Sequence, residues 1–183
     1  MKVAFLIGHD EKSKGAISKH LIDGKEVSEF DFWKDFVLKN LLDYGDIFVH
    51  ETISSYNKKQ EITAEKTKDY DLVIEFHFNS YNGKAQGVEA LYYYKNNKTQ
   101  AICEEFSNLV SQKMNIRLRG NNGATASSSG NGFGFLHKTK NWAILIEPFF
   151  GDNKSDCKKF NEKKMKEAII ETIAYAKKLK YNV

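Results

Sequence analysis

Leu72-Val73-Ile74-Glu75-Phe76-His77 is the stretch that decides how this 183-residue chain folds. It is short, nearly continuously apolar and rich in branched and aromatic residues, and Asn79-Ser80 follows it. Such a run reads as a strand buried on both faces, which is the signature of a parallel sheet covered by helices. Alternation puts Leu72, Ile74, Phe76 and Phe78 on one face and Val73, Glu75 and His77 on the other. Two other runs share its form. Val3-Ala4-Phe5-Leu6-Ile7-Gly8-His9 also stops at a histidine, and Trp142-Ala143-Ile144-Leu145-Ile146-Glu147 stops at a carboxylate. If the three lie parallel, their C-terminal ends share the edge at which open α/β sheets bind ligands.

Strand and helix signals alternate between these runs. Residues 10–28 are polar, with Gly15 and Gly24 as loop marks. Ser28 is placed to cap a helix over 29–43 that ends at Gly45, and Asp46-Ile47-Phe48-Val49-His50 reads as a short strand. A short helix is expected over 62–69. Gly87 to Tyr94 is β by its branched and aromatic content, and 98–115 returns to a helical period. Residues 120–134, full of Gly, Asn and Ser, show no packing period and read as a loop. A last helix over about 159–179 aligns Met165, Ala168, Ile169, Thr172, Ile173, Ala176 and Leu179 in one stripe, with lysines opposite. The reading is one α/β domain, residues 1–183, with a mainly parallel twisted sheet and helices on both faces.

Hydrophobic content of 41% and charged content of 28% are those of an ordinary globular protein. No stretch approaches the roughly 20 apolar residues of a membrane span, so no membrane insertion is expected. The apolar run after Lys2 is too short for a signal peptide. Synthesis in the cytoplasm is therefore expected, with no separate wall- or surface-binding domain. Cys103 and Cys157 have neither metal-site spacing nor a disulfide framework, and read as free thiols. The net charge of +4 suits a polyanionic substrate or surroundings. Only two of the basic residues are arginines, Arg117 and Arg119, which argues against a nucleic-acid partner.

His9, His77 and Glu147 would meet at the sheet edge, and Glu29 opens the first helix. Buried Glu147, between apolar residues and Pro148-Phe149-Phe150, needs a positive partner. Two imidazoles and one carboxylate are a zinc ligand set with a position left for water, and a second carboxylate can act as base. From the residues alone, which carboxylate does which stays open. Glu29 heads the face formed by Phe32, Trp33 and Phe36, whereas Glu26 precedes the cap and lies in solvent. His20 and His50 read as surface residues, and Tyr92, Tyr93 and Tyr94 as sheet packing.

Six short motifs occur in one order: Gly8-His9-Asp10, Lys14-Gly15-Ala16, the helix-opening glutamate, His77-Phe78-Asn79-Ser80, Gly87-Val88-Glu89, and Ile144-Leu145-Ile146-Glu147. This succession resembles the zinc-dependent N-acetylmuramoyl-L-alanine amidases, above all the amidase domains of bacteriophage endolysins. The resemblance covers essentially the whole chain and implies their phosphorylase/hydrolase-like fold. It implies one Zn²⁺ per chain held by His9, Glu29 and His77, with Glu147 as the catalytic residue. The implied substrate is peptidoglycan, cut between the muramic acid lactyl group and L-alanine after the protein, phage endolysin or autolysin, reaches the wall. Asp10-Glu11 stands where many relatives carry a glycine pair, which implies a less tightly turned loop after His9.

Asn79, Glu89 and His137 are the candidate substrate contacts. Asn79 equally suits a turn cap, Glu89 a ligand-orienting or solvent-facing carboxylate, and His137 a flank of the cleft. The basic C-terminal helix is a candidate contact for anionic wall polymers, and a monomer is expected. Two other readings share the site residues: a zinc carboxypeptidase-like peptidase, and a non-catalytic cell-wall-binding module.

Overall fold

A computed structural model describes residues 1–120, 122–130 and 132–182. In chain order the first half forms β1 (Val3–Ile7), β2 (Ile17–Ile22), β3 (Lys25–Ser28), α1 (Glu29–Asn40), β4 (Asp46–Val49), α2 (Tyr56–Lys66) and β5 (Leu72–Phe76). The second half forms β6 (Glu89–Tyr93), α3 (Asn97–Met114), β7 (Ala124–Ser127), α4 (Phe133–Lys138), β8 (Trp142–Glu147), α5 (Lys154–Lys159) and α6 (Glu162–Tyr181). Among the described residues the main sheet runs β4-β1-β5-β8-β6-β7. β4, β1, β5 and β8 are parallel; β6 reverses against β8, and β7 follows β6. The three runs ending in His9, His77 and Glu147 are thus the adjacent strands at the centre.

Each sheet face buries its own cluster. On one, Trp33 and Val37 of α1, Phe106 and Val110 of α3 and Ile169 of α6 pack on Phe5, Ile74, Phe76 and Ile144. On the other, Phe135 and Leu136 of α4 cover Ala4, Leu6, Val73, Ala143 and Leu145. A fully buried side chain of this size contributes roughly 1.5–3 kcal/mol. The larger cluster therefore carries most of the stability. Cys103 and Cys157 are both buried and free. No helix among the described residues is long and apolar enough to cross a membrane.

Four local readings change. Residues 10–28 hold the antiparallel hairpin β2–β3, turned at Gly24 with φ +70°. Its strands are mostly exposed, so they carry no apolar period to reveal them. The second helix starts earlier than expected, at Tyr56, capped by Ser55. Residues 124–127 form edge strand β7, paired with β6. Its Ala-Thr-Ala-Ser side chains are too small to signal a strand, and the backbone ladder holds it. The last helix is two: α5 stops at Phe160, and Asn161 accepts from Lys164 N–H to start α6.

Candidate metal centre

The β-ladder continues past the strand ends and fixes the histidines that follow. Gly8 N–H donates to Phe76 O at 3.1 Å, and His77 N–H donates to Ile146 O at 3.0 Å. His9 then adopts φ +66°, the left-handed region that a non-glycine residue rarely occupies. Such strain costs about 1–3 kcal/mol and persists only where surrounding structure enforces it. Asp10 supplies that enforcement. Its Oδ1 accepts from Lys12 N–H and Ser13 N–H at 2.9 Å each, its own N–H reaches Ser13 O, and Lys59 of α2 pairs with Oδ2. The Asp10 carboxylate thus organises the loop after His9 from within.

Glu29 comes from the opposite side. Ser28 caps α1 through Asp31 N–H, so Glu29 is the first helical residue and is 4% exposed. Its Oε1 accepts from Phe78 N–H at 3.0 Å and faces His77 Nδ1 at 2.8 Å. Its Oε2 accepts from Ala16 N–H at 3.2 Å and faces His9 Nε2 at 3.1 Å. Donor atoms of His9, Glu29 and His77 all lie within 4.8 Å of one another, a group able to hold a metal ion. Gly15 makes the approach possible. A Cβ there would come within 2.5 Å of His9 Nε2 and 2.7 Å of Glu29 Oε2, and its φ is +76°.

The electrostatics follow from burial and pairing. Burial pushes the Glu29 carboxyl up, but hydrogen bonds from His77 and His9 and their charges outweigh it and hold it at about 2. Burial opposes charging of His77, yet Glu29 and Glu75 raise its pKa well above the usual histidine value. Glu147 behaves oppositely. Burial, reinforced by the charges of Glu89 and Glu29, lifts it to about 7 against the pull of His77 and Arg119. A carboxyl poised there exchanges protons readily at neutral pH.

A cavity of about 580 Å³ opens over the triad and is also lined by Glu147, Asn79, Lys59, Tyr56 and Gln60. Asn79 borders it and donates its side-chain amide to Glu89 Oε1 at 2.8 Å. Glu89 is opposite Glu147 in the β6–β8 register, and Arg119 Nε and Thr125 Oγ1 also reach it, at 2.7 and 2.9 Å. His137 is not in this cavity. It is exposed on α4, stacked on Phe133 at 5.0 Å, and borders a separate recess of about 170 Å³. His20 is exposed, whereas His50, read as a surface residue, is 5% exposed. Its Nε2 lies 2.7 Å from Glu75 Oε1 and its Nδ1 3.0 Å from Thr63 Oγ1. Tyr92 is buried as expected, while Tyr94 is exposed.

Glu75, His50, Asp10 and Lys59 escaped the sequence reading. Glu75 carried a signal as a carboxylate inside an apolar strand, and Asp10 stood next to His9 in the Gly8-His9-Asp10 motif without a role of its own. His50 and Lys59 are brought to the cleft by contacts between elements distant in the chain.

The family profile described as N-acetylmuramoyl-L-alanine amidase matches residues 3–177. No curated protein matches the chain. Among solved structures, the catalytic domain of the CD27L endolysin targeting Clostridia difficile is 24% identical, with a TM-score of 0.73 over 96% of this chain and 97% of that one. The N-acetylmuramoyl-L-alanine amidase from Clostridium difficile 630 is 22% identical, with a TM-score of 0.70 over 100% and 98%. The catalytic domain of CwlV, an N-acetylmuramoyl-L-alanine amidase from Bacillus (Paenibacillus) polymyxa var. colistinus, is 19% identical, with a TM-score of 0.70 over 96% and 97%. At these identities the structures support the shared fold, and the profile supports the family.

Proposed function

The chain belongs to the N-acetylmuramoyl-L-alanine amidase family, and from that premise we propose that His9, Glu29 and His77 hold one zinc ion while Glu147 moves the proton. The bond cut is the amide between N-acetylmuramic acid and the L-alanine of the peptidoglycan stem peptide. The observation that carries the site assignment is the convergence of three donors, just past the ends of β1 and β5 and at the start of α1, beside a fourth group of raised pKa.

The residues present fit the ion. Two imidazoles and a carboxylate are the donors of hydrolytic zinc sites. Backbone N–H groups of Ala16 and Phe78 orient the carboxylate, as outer partners of metal ligands do. Glu29 and Glu75 are both buried carboxylates whose charge requires a cation, a role that protonated His77 fills in the metal-free chain and that a bound ion would take over on displacing its proton. When bound, zinc would lower the pKa of water and polarise the amide carbonyl.

Glu147 accepts the proton of the water that attacks the lactyl carbonyl. As the new C–O bond forms and the C–N bond breaks, the same carboxyl returns that proton to the departing alanine nitrogen. Burial raises its pKa, to about 7 without a cation, which favours taking up a proton and giving it back. Asn79, which lines the cavity, and Glu89, bonded to it and opposite Glu147 in the β6–β8 register, are proposed to meet the stem peptide. Exposed lysines of α6, including Lys163, Lys164, Lys177 and Lys178, are proposed to favour anionic wall polymers.

The test is digestion of purified peptidoglycan. The expected result is one new N-terminal alanine per cut, about one zinc per chain, and loss of release on chelation with the fold retained. A chain that liberates other amino termini would instead be a peptidase, and full activity without metal would overturn the zinc assignment. Gly15→Ala probes the geometry. Its methyl group meets both His9 and Glu29, so zinc affinity is expected to fall by roughly tenfold or more. Titration against a chromophoric chelator reads this, and an unchanged affinity would show that the triad tolerates splaying.

A further inference from the structure

We propose that Glu75, backed by His50 and Thr63, is the positioning residue that sets the tautomer and ring plane of His77; this rests on the reading of His77 as a metal ligand. Glu75 occupies a place where a charge needs a reason. It lies on a central strand in register between Leu6 and Leu145, and its side chain is 4% exposed. A carboxylate so enclosed costs several kcal/mol unless it is paired. Its partners are two histidines: His50 Nε2 at 2.7 Å and His77 Nε2 at 3.5 Å, both on Oε1.

Donor and acceptor accounting then assigns the protons. An ionised carboxylate only accepts, so the facing nitrogens of both rings carry hydrogen. With Nε2 of His50 protonated, its Nδ1 accepts from the Thr63 hydroxyl, 3.0 Å away. Toward Glu29, 2.8 Å away, Nδ1 of His77 carries hydrogen as well in the metal-free chain; once a cation displaces that proton, His77 keeps hydrogen on Nε2 and turns the Nδ1 lone pair to the site. Nδ1 is therefore the atom offered to the ion. Glu29 holds His77 more closely than Glu75 does, but only through a proton that a cation on Nδ1 would displace. Glu75 would then be the ring's remaining anionic partner. Gly8 leaves space for this orientation, because a Cβ there would lie 2.4 Å from His77 Cε1 and 2.5 Å from Nε2. The chain Thr63–His50–Glu75–His77 links α2, β4 and β5, so packing on one side of the sheet orients a ligand at its edge.

The experiment compares zinc affinity of the wild-type chain and Glu75→Gln by chelator competition, with thermal unfolding as control. Glu75→Gln preserves volume but turns half the acceptor into a donor facing donors. Affinity is expected to fall 10- to 100-fold, the usual effect of removing an outer partner of a ligating histidine. Nitrogen-detected NMR of zinc-loaded wild type needs no variant and so is independent of whether Glu75→Gln folds. It is expected to show hydrogen on Nε2 of both His77 and His50. Hydrogen on Nδ1 of His77, or wild-type zinc affinity in a folded Glu75→Gln chain, would overturn the proposal while leaving the metal site standing. A wild-type chain that binds no zinc would overturn the metal reading and this proposal with it.

Discussion

Glu147→Gln is expected to keep its zinc and lose roughly 10²- to 10⁴-fold in kcat, the range for removal of a positioned acid–base group. Glutamine matches the shape of glutamate and leaves His9, Glu29 and His77 untouched, but it cannot carry the proton from water to the leaving nitrogen. Because the base must be ionised to work, activity rises with pH through its pKa. That value is about 7 without a cation, and a bound dication lowers it, so the acid limb is expected below pH 7. The same carboxyl weighs on stability. Its folded pKa of about 7 lies above the ordinary 4.5, so ionisation is harder in the folded than in the unfolded chain. The penalty is absent below pH 4.5, grows as pH rises, and reaches up to about 3 kcal/mol above pH 7. Metal-free Glu147→Gln should therefore unfold at a higher temperature than metal-free wild type at pH 8, and at nearly the same temperature at pH 4. Loss of zinc from the variant, or equal stability at both pH values, would remove Glu147 from this role.

Glu29→Ala is expected to abolish tight zinc binding and with it nearly all hydrolysis, while Glu26→Ala stays near wild type in both. The carboxylate of Glu29 is the piece between the two histidines, 2.8 Å from His77 Nδ1 and 3.1 Å from His9 Nε2. Removing it also leaves the Phe78 and Ala16 N–H groups without their acceptor. Glu26 instead forms an exposed ion pair with Lys19, worth at most about 1 kcal/mol. Zinc content after gel filtration, read beside circular dichroism, separates loss of the ligand from loss of the fold. A Glu29→Ala chain that retains stoichiometric zinc would show that the two histidines recruit another carboxylate.

What could be read from the chain was carried by periodicity. The buried runs at Val3, Leu72 and Trp142 are long and branched enough to be strands wherever they sit, and their parallel pairing puts their ends at one edge. The Ser28 cap places Glu29 at a helix start from local chemistry alone. Elements stabilised by backbone pairing rather than apolar burial were unreadable. The β2–β3 hairpin is mostly exposed, and β7 is built of small residues on a sheet edge.

Burial and capping are written into nearby residues, so the three central strands, the helix that presents Glu29 and the groups at the strand ends can be read from the chain. The assembled fold sets the reversal of β6, which brings Glu89 opposite Glu147. It alone buries His50 against Glu75, and ties Asp10 to Lys59 across 49 residues. These contacts join side chains from separate elements, and no local pattern encodes a partner whose position depends on how the sheet is ordered.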